Sequence, residues 1–446
     1  MTRAQNPIAL WLVCCTVAVL ALLAPALWNG FPLIYPDTGG YLERPLTATL
    51  EMGRSALYGA FLLAGAPLSF WPNVVAQAVV LVWLIALTLR AHGVGDRPLL
   101  LCGVAIALAL TTALPFFASQ LMPDALFPAG VLALYLLLFH RPKLRGLEQF
   151  GLCAVIVFAL ASHMALLGLA LGLLVVLGLL SVFPIMRLPK PQLSLAIVAV
   201  FAGLILAPLS NLVITGQLAF TPGGASFFFN RLVEDGIVTR YLDKKCPDAS
   251  LRICAYRADI STGYDDWLWK NDTPFWKLGG WQGYSGEQRR IILATLATDP
   301  LAHITTAIRA TLIQFISFDT EVATDRHDNS RSRDTFRDRL PRLYPALMAA
   351  RQQAKPFDVS PLNVIHVPVA ALSIIALAAA LIWRRRLALS DEDIALAATV
   401  LFALAVNAAV CGVFSHPADR YQSRLVPIAP LALIIALASR KRENAP

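Results

Sequence analysis

One acidic residue stands where a membrane protein could use it for chemistry. Asp37 lies in the segment Tyr35–Tyr41, directly after the first long apolar run of the chain. A carboxylate just outside a membrane-spanning helix can reach a substrate from the lipid edge and from water, and it can act as a general base. The same Pro-Asp-Thr-Gly-Gly sequence also favours a turn, because Asp bonds its own backbone and Gly adopts positive φ. The segment alone leaves both interpretations open.

Other polar side chains occur in similar positions, between apolar runs. Asp124 follows Pro123 at the start of a predicted helix, where it could be a ligand or could cap the helix. The arginines of the group could bind an anion or simply snorkel to the membrane interface. A histidine alone between two helices is also an ordinary turn residue. The further members of this group are Arg54, His163, His416, Arg420 and Arg424.

Composition places these residues in a membrane protein. The chain has 446 residues, of which 57% are hydrophobic and 15% charged, and its mean hydropathy is +0.63. Soluble domains have about 25% charged residues, and several apolar runs here approach the roughly 20 residues that span a bilayer. We therefore predict an all-α polytopic membrane protein with about ten transmembrane helices. The net charge of +9 is assigned to cytoplasmic loops and not to nucleic-acid binding.

Charge distribution predicts the orientation of these helices. Basic residues follow every even-numbered run, so both termini are predicted in the cytoplasm and the candidate site residues on the outer face. The run at 301–318 is a possible eleventh span. Because Arg309 inside it would be costly in lipid, we predict an amphipathic helix on the outer surface. The runs predicted to span fall at 8–28, 73–89, 98–115, 124–139, 147–161, 164–183, 192–214, 362–383, 393–413 and 425–439.

The spans divide the chain into three parts. Residues 1–214 form an N-terminal transmembrane core with the first outer loop, 215–361 an extracytoplasmic region, and 362–446 the C-terminal transmembrane helices. Cys246 and Cys254 are predicted to form a disulfide, since they are the two cysteines of the one large polar segment. The same region holds a cluster of aromatic residues that could stack sugars, form an interfacial belt or fill a small core. The cluster comprises Trp267, Trp269, Phe275, Trp276, Trp281 and Tyr284.

Four motifs together resemble the GT-C superfamily of polytopic glycosyltransferases, which use polyprenyl-phosphate-linked sugars. The resemblance covers residues 1–215 and the last predicted span. Its motifs are Asp37 in the first outer loop, the Arg54–Tyr58 segment with Gly59 in place of the usual proline, Pro123-Asp124, and Arg420-Tyr421 followed by Pro427.

The resemblance implies an inverting transfer of sugar to a hydroxyl of a lipid, glycan or protein, on the outer face of a bacterial plasma membrane. Asp37 would be the base, and Asp124 would orient the acceptor or assist a possible divalent cation, although two acids make a sparse metal site. The partners implied are the lipid-linked donor and membrane lipid, and the sequence leaves the oligomeric state open. The supporting residues implied are Arg54, Arg420 and Arg424 at the donor phosphate, with Tyr58, His163 and His416 around the substrates.

Two alternatives remain at this stage. A transporter or flippase of a lipid-linked or amphiphilic substrate would place its site near the bilayer midplane, often on broken helices in repeated halves. The sequence shows no such repeat, and its candidate residues lie at the outer ends of the spans. A surface-polysaccharide ligase or polymerase would use one large late outer loop with Arg and His, and the 215–361 region has that form.

Overall fold

The computed structural model describes residues 7–49, 52–182, 188–220, 223–263, 266–322, 330–354 and 358–443. Within these ranges the protein is 76% helical and has no strands. A single isolated parallel bridge joins Leu33 to Gln120. The all-α class predicted from the sequence is therefore confirmed.

The helices are named in chain order. Those of the N-terminal part are α1 (Pro7–Leu22), α2 (Ala24–Asn29), α3 (Thr38–Thr47), α4 (Ala56–Gly65), α5 (Trp71–Ala91), α6 (Pro98–Thr111), α7 (Leu114–Ala118), α8 (Leu126–Phe139), α9 (Gly146–Ser162), α10 (Met164–Val182) and α11 (Leu193–Thr215). Those of the middle part are α12 (Gly224–Glu234), α13 (Ile237–Lys245), α14 (Pro274–Lys277), α15 (Gly280–Gly283), α16 (Ser285–Thr298), α17 (Pro300–Ile316), α18 (Ser330–Arg339), α19 (Tyr344–Ala349) and α20 (Arg351–Ala354). The C-terminal part contains α21 (Asn363–Ile382), α22 (Asp391–Phe414), α23 (Asp419–Ser423) and α24 (Ile428–Glu443).

Several of these helices have the length and apolarity of membrane spans. Among the described residues six candidates occur, at Trp71–Ala91, Met164–Val182, Leu193–Thr215, Ser360–Ile382, Asp391–Phe414 and Asp419–Ser439. The pair α16 and α17, bent by 100°, would add a seventh as one broken span. These helices indicate a multi-pass membrane protein. The other predicted spans, at 8–28, 98–115, 124–139 and 147–161, contain shorter apolar helices, so the count of about ten stays a prediction.

The helix α8 lies at the centre of the bundle. Every residue from Leu126 to Leu138 is buried, and the helix packs against α5, α9 and α22. A helix that is apolar on all sides is expected in such an enclosed position. By contrast, helices at the periphery expose large apolar side chains such as Leu12, Leu110 and Val213, as a lipid-facing surface would.

Polar side chains collect at both ends of this bundle. At one end Arg90 pairs with Glu148 and His92 Nδ1 lies 3.3 Å from Asp393 Oδ1. The helix α8 has 14 residues and is therefore about 21 Å long at 1.5 Å per residue. Asp124 lies just before its first residue and so belongs to the other end of the bundle. The loops predicted to lie outside thus share one end of the bundle, whereas the side of the membrane that this end faces stays a prediction.

The helix α17 is fixed to the bundle by close packing. A Cβ on Gly412 of α22 would lie 2.7 Å from the carbonyl oxygen of Ala310. The buried side chain of Gln314 forms hydrogen bonds of 2.9 Å with both the N–H and the carbonyl of Ala418. Elsewhere along its length, α17 exposes Leu301 and other apolar residues. The predicted location of this helix on the outer surface stays a prediction.

The region between α11 and α21 has a core of its own. Trp267, Phe275 and Tyr284 are fully buried there together with Phe229, so these three members of the aromatic cluster fill a core. Cys246 and Cys254 form the predicted disulfide, which is confirmed. The sulfurs cross-link a short loop at the end of α13, beside the same core.

Close packing at Gly59 yields a prediction about stability. A Cβ at this position in α4 would lie 2.1 Å from the carbonyl oxygen of Tyr41 in α3. We expect Gly59→Ala to destabilise the protein by about 1–3 kcal/mol, because the helices must separate. Thermal unfolding in detergent measures this.

The matched control is Gly103→Ala in α6, where nothing lies within 4 Å of the added Cβ. Alanine there should be neutral or stabilise by up to about 1 kcal/mol, since it restricts the unfolded chain. Equal melting temperatures for the two variants would contradict the packing of α3 on α4.

Candidate functional site

The backbone around Asp37 is held by hydrogen bonds from distant parts of the chain. The buried Thr38 hydroxyl donates to the Leu121 carbonyl at 3.2 Å. The Gly39 N–H donates to Ser332 Oγ of α18 at 2.8 Å. These bonds fix the turn before α3, and they leave the Asp37 side chain 29% exposed. The turn interpretation and the functional one are therefore compatible.

Two arginines lie against the Asp37 carboxylate. Arg54 donates a hydrogen bond to Asp37 Oδ1, and Arg420 Nη1 lies 3.9 Å from Oδ2. The Arg54 guanidinium also lies over the Tyr41 ring, 5.9 Å from its centroid. A carboxylate and two guanidinium groups therefore meet at one point, although Arg54 and Arg420 are far apart in sequence.

Asp124 binds two arginines in a fully buried ion cluster. Its exposed fraction is 0%, and Arg420 donates through Nε to Oδ1 at 3.2 Å and through Nη2 to Oδ2 at 2.5 Å. Arg424 Nη1 adds a third bond to Oδ1 at 3.0 Å. This bidentate arrangement fixes the plane of the Arg420 guanidinium and leaves Asp124 no free face.

Aromatic rings complete the packing of these cations. The Arg420 guanidinium carbon lies 3.7 Å from the centroid of the Tyr35 ring, and that of Arg424 lies 3.4 Å from the centroid of Phe127. Burial raises the pKa of the Tyr35 hydroxyl, so this ring stays neutral at physiological pH. A ring face attracts a cation more strongly when water is excluded, and both arginines are thereby held rigidly.

A large cavity opens in front of Asp37. Its volume is about 1110 Å³, enough for a ligand larger than the drug-sized molecules that fill pockets of about 300–1,000 Å³. Its polar lining includes Asp37, Arg54 and Arg420. Its lining also includes aromatic residues of the region between α11 and α21. The cavity therefore lies between that region and the end of the helical bundle.

The remaining candidate residues do not all reach this cavity. His416 lines it, and burial together with the nearby Arg231 lowers its pKa to about 3, so the ring is neutral. Arg424 lies behind Arg420, outside the cavity wall. Tyr58 is buried with its hydroxyl donating to Gln77 Oε1 at 2.9 Å.

His163 lies outside the wall of the large cavity. It lies at the turn between α9 and α10, where its Nδ1 accepts a hydrogen bond of 3.2 Å from the Ala165 N–H. Its ring packs edge-on against Phe127 at 5.1 Å between centroids. Neither His163 nor Tyr58 contributes to the wall of the large cavity.

Three charged residues of the cavity wall, Lys270, Glu321 and Arg331, were missed by the sequence analysis. Glu321 lines the cavity and accepts a hydrogen bond of 3.2 Å from the backbone N–H of Arg420. Arg331 lines it as well and pairs with Glu43 at 3.5 Å. Glu321 follows an apolar run and Arg331 lies in a charge-rich segment, so no motif distinguished either residue.

The possible divalent cation does not fit between Asp37 and Asp124. The Arg420 guanidinium already contacts Asp124 and approaches Asp37, so a second cation there would be repelled. Elsewhere in the described ranges no group of three or more His, Cys, Asp and Glu side chains is placed to hold a metal ion. We therefore derive no step through a metal.

The two acids should differ in their contribution to stability. Asp124→Asn would leave Arg420 and Arg424 buried without their counter-charge, and we expect a loss of about 3–5 kcal/mol. Asp37→Asn removes a partly exposed pair and should cost at most about 1 kcal/mol. Thermal unfolding of both variants in the same detergent compares them. A larger loss for Asp37→Asn than for Asp124→Asn would contradict the buried ion cluster.

No protein-family model matches the chain, no curated protein matches it, and no solved structure matches its fold. The family membership suggested by the motifs therefore stays a prediction.

Proposed function

We propose that this protein is a membrane glycosyltransferase that moves a sugar from a polyprenyl-phosphate donor to a hydroxyl acceptor with inversion. One observation carries the proposal. The partly exposed carboxylate of Asp37 lies on the wall of a large cavity with Arg54 and Arg420 directly against it. This combination supplies a proton acceptor beside two groups that bind phosphate oxygens.

The proposed reaction is a single displacement at the anomeric carbon. The acceptor oxygen forms a bond to this carbon while its proton passes to the Asp37 carboxylate. The bond between the anomeric carbon and the phosphate oxygen breaks, and the electron pair leaves with polyprenyl phosphate. Negative charge develops on the leaving phosphate, where the fixed guanidinium groups of Arg54 and Arg420 would stabilise it.

The buried ion cluster would serve this reaction by positioning. Asp124 and the Tyr35 ring hold the Arg420 guanidinium in one orientation, so little rearrangement is needed when phosphate arrives. Arg424 lies behind this group and balances Asp124. In the proposal Asp124 and Arg424 are positioning residues, while Asp37 is the catalytic base and Arg54 and Arg420 contact the donor.

Location at one end of the bundle supports surface chemistry over transport. The Asp37 site lies at the end of α8 and beside α23, whereas transporter sites lie near the midplane. A lipid-linked donor could place its sugar in the cavity while its tail remains among the apolar helix faces. The substrate sugar and the acceptor stay open within this proposal.

Replacement of Asp37 tests the catalytic step. In proteoliposomes supplied with polyprenyl-phosphate pentose and hexose donors and a bacterial envelope extract as acceptor, we expect Asp37→Asn to lower transfer at least about 100-fold. Binding of the donor should persist, because both arginines remain. Transfer of radiolabelled sugar to a non-prenyl product is the measurement.

The matched control is Asp243→Asn, which removes another Asp–Arg pair, with Arg257, away from the cavity. This control should keep full activity. Wild-type transfer by Asp37→Asn would contradict the proposed base. Movement of intact donor across the bilayer without sugar transfer would instead indicate a flippase.

A further inference from the structure

The cavity in front of Asp37 is also lined by aromatic side chains that the proposed displacement does not use. We call this surface the aromatic wall and define it as Phe227, Trp269, Trp276 and Trp281. Trp269 is 44% exposed and Trp276 45% exposed. Because these two residues line the cavity that contains Asp37, their indole faces are available to a ligand there.

The aromatic wall is a rigid layer built on a core. The Trp281 ring lies 5.3 Å from Phe227 and 6.2 Å from Trp269. Behind it the fully buried Phe275 packs edge-on against both Trp276 and Trp281, each at 5.1 Å between centroids. Rings at these distances gain from edge-to-face packing. The exposed faces are thus presented in fixed orientations.

Two glycines bring backbone against the same rings. A Cβ on Gly53 would lie 3.0 Å from the Phe227 ring, and one on Gly223 would lie 3.0 Å from the Trp281 ring. Both residues have positive φ, of +70° and +83°, which glycine adopts without strain. Because Gly53 directly precedes Arg54, the wall and the phosphate-binding side of the cavity are mechanically joined.

Hydrogen-bonding groups border the indole faces. Asn230 lines the cavity and is nine-tenths buried, and its Nδ2 donates to Glu234 Oε1 at 2.7 Å. No group among the described residues donates to its Oδ1, but this atom is itself buried and does not reach the cavity surface. Asn271 and Lys270 also line the cavity and are exposed, and the Lys270 ammonium pairs with Asp266. Indole faces beside amide and ammonium groups match a sugar ring, which has apolar C–H faces and a polar hydroxyl edge.

We propose that the aromatic wall binds a sugar ring of the acceptor, so that the acceptor is a glycan. This assignment rests on the proposed function, in which the donor phosphate occupies Arg54 and Arg420 and leaves the aromatic wall to the acceptor. The volume of about 1110 Å³ leaves room for a second ring beside the transferred sugar. An acyl chain would cover the exposed Asn271 amide and the charged groups of the cavity without binding them, so the polar lining favours a carbohydrate.

Direct binding tests this assignment without requiring transfer. The full chain is placed in lipid nanodiscs, which avoids detergents with sugar heads. It is then titrated with soluble bacterial oligosaccharide repeat units, and saturation-transfer NMR measures affinity and the ring protons in contact. We expect Trp269→Ala and Trp281→Ala each to weaken binding roughly tenfold, as the loss of one stacking partner implies.

Two variants separate this inference from the proposed function. Asp37→Asn should abolish transfer but weaken oligosaccharide binding less than Trp269→Ala or Trp281→Ala does, because Asn keeps a hydrogen-bonding group of the same size at position 37 and the indole faces remain. Trp383→Ala should leave binding unchanged, since Trp383 is an exposed tryptophan at the end of α21, away from the cavity. Folding of every variant is checked by its melting temperature.

The outcomes are distinct. A glycan subsite is supported if Trp269→Ala and Trp281→Ala weaken oligosaccharide binding and Asp37→Asn weakens it less. This conclusion holds even if no transfer is ever observed. Absence of binding at millimolar oligosaccharide overturns it. The assignment is also overturned if the two tryptophan variants bind the oligosaccharide as the wild type does. Equal binding of a sugar-free alkyl phosphate or a peptide at the aromatic wall overturns it as well.

Discussion

The arrangement of the whole site depends on the guanidinium of Arg420. It makes two hydrogen bonds with the buried carboxylate of Asp124, packs on the Tyr35 ring and reaches within 3.9 Å of Asp37. A buried carboxylate costs several kcal/mol unless a cation pairs with it. The chain can therefore bury Asp124 only by bringing the segment after α22 against the start of α8. That requirement joins the first and last parts of the sequence.

This constraint also explains the separation of roles. Asp124 is enclosed and serves as an anchor, whereas Asp37 at the edge of the same cluster remains 29% exposed and faces the cavity. Arg54 approaches Asp37 from the loop before α4. The small region between α11 and α21 adds its tryptophans to the lining of the same cavity. Fixed cationic groups and fixed aromatic rings thus line one cavity.

Part of this arrangement was accessible from the sequence. Apolar runs predicted the helices, and the pair Cys246 and Cys254 predicted the disulfide, because both depend on local patterns. Order along the chain also placed Asp37 and Arg420 at one end of the bundle. Other features could not be predicted from the sequence, since each depends on tertiary contacts between distant segments. They are the pairing of Asp124 with two arginines, the position of Glu321 and the exposure of Trp269.

The most direct test of the account is to see where the donor phosphate binds. Electron cryo-microscopy of the Asp37→Asn protein in nanodiscs with a polyprenyl-phosphate sugar would locate it. The account predicts phosphate oxygens at about 2.7–2.9 Å from guanidinium nitrogens of Arg54 or Arg420, with the anomeric carbon facing position 37. Phosphate density outside this cavity, for example beside Arg384–Arg386 at the far end of α21, would contradict it.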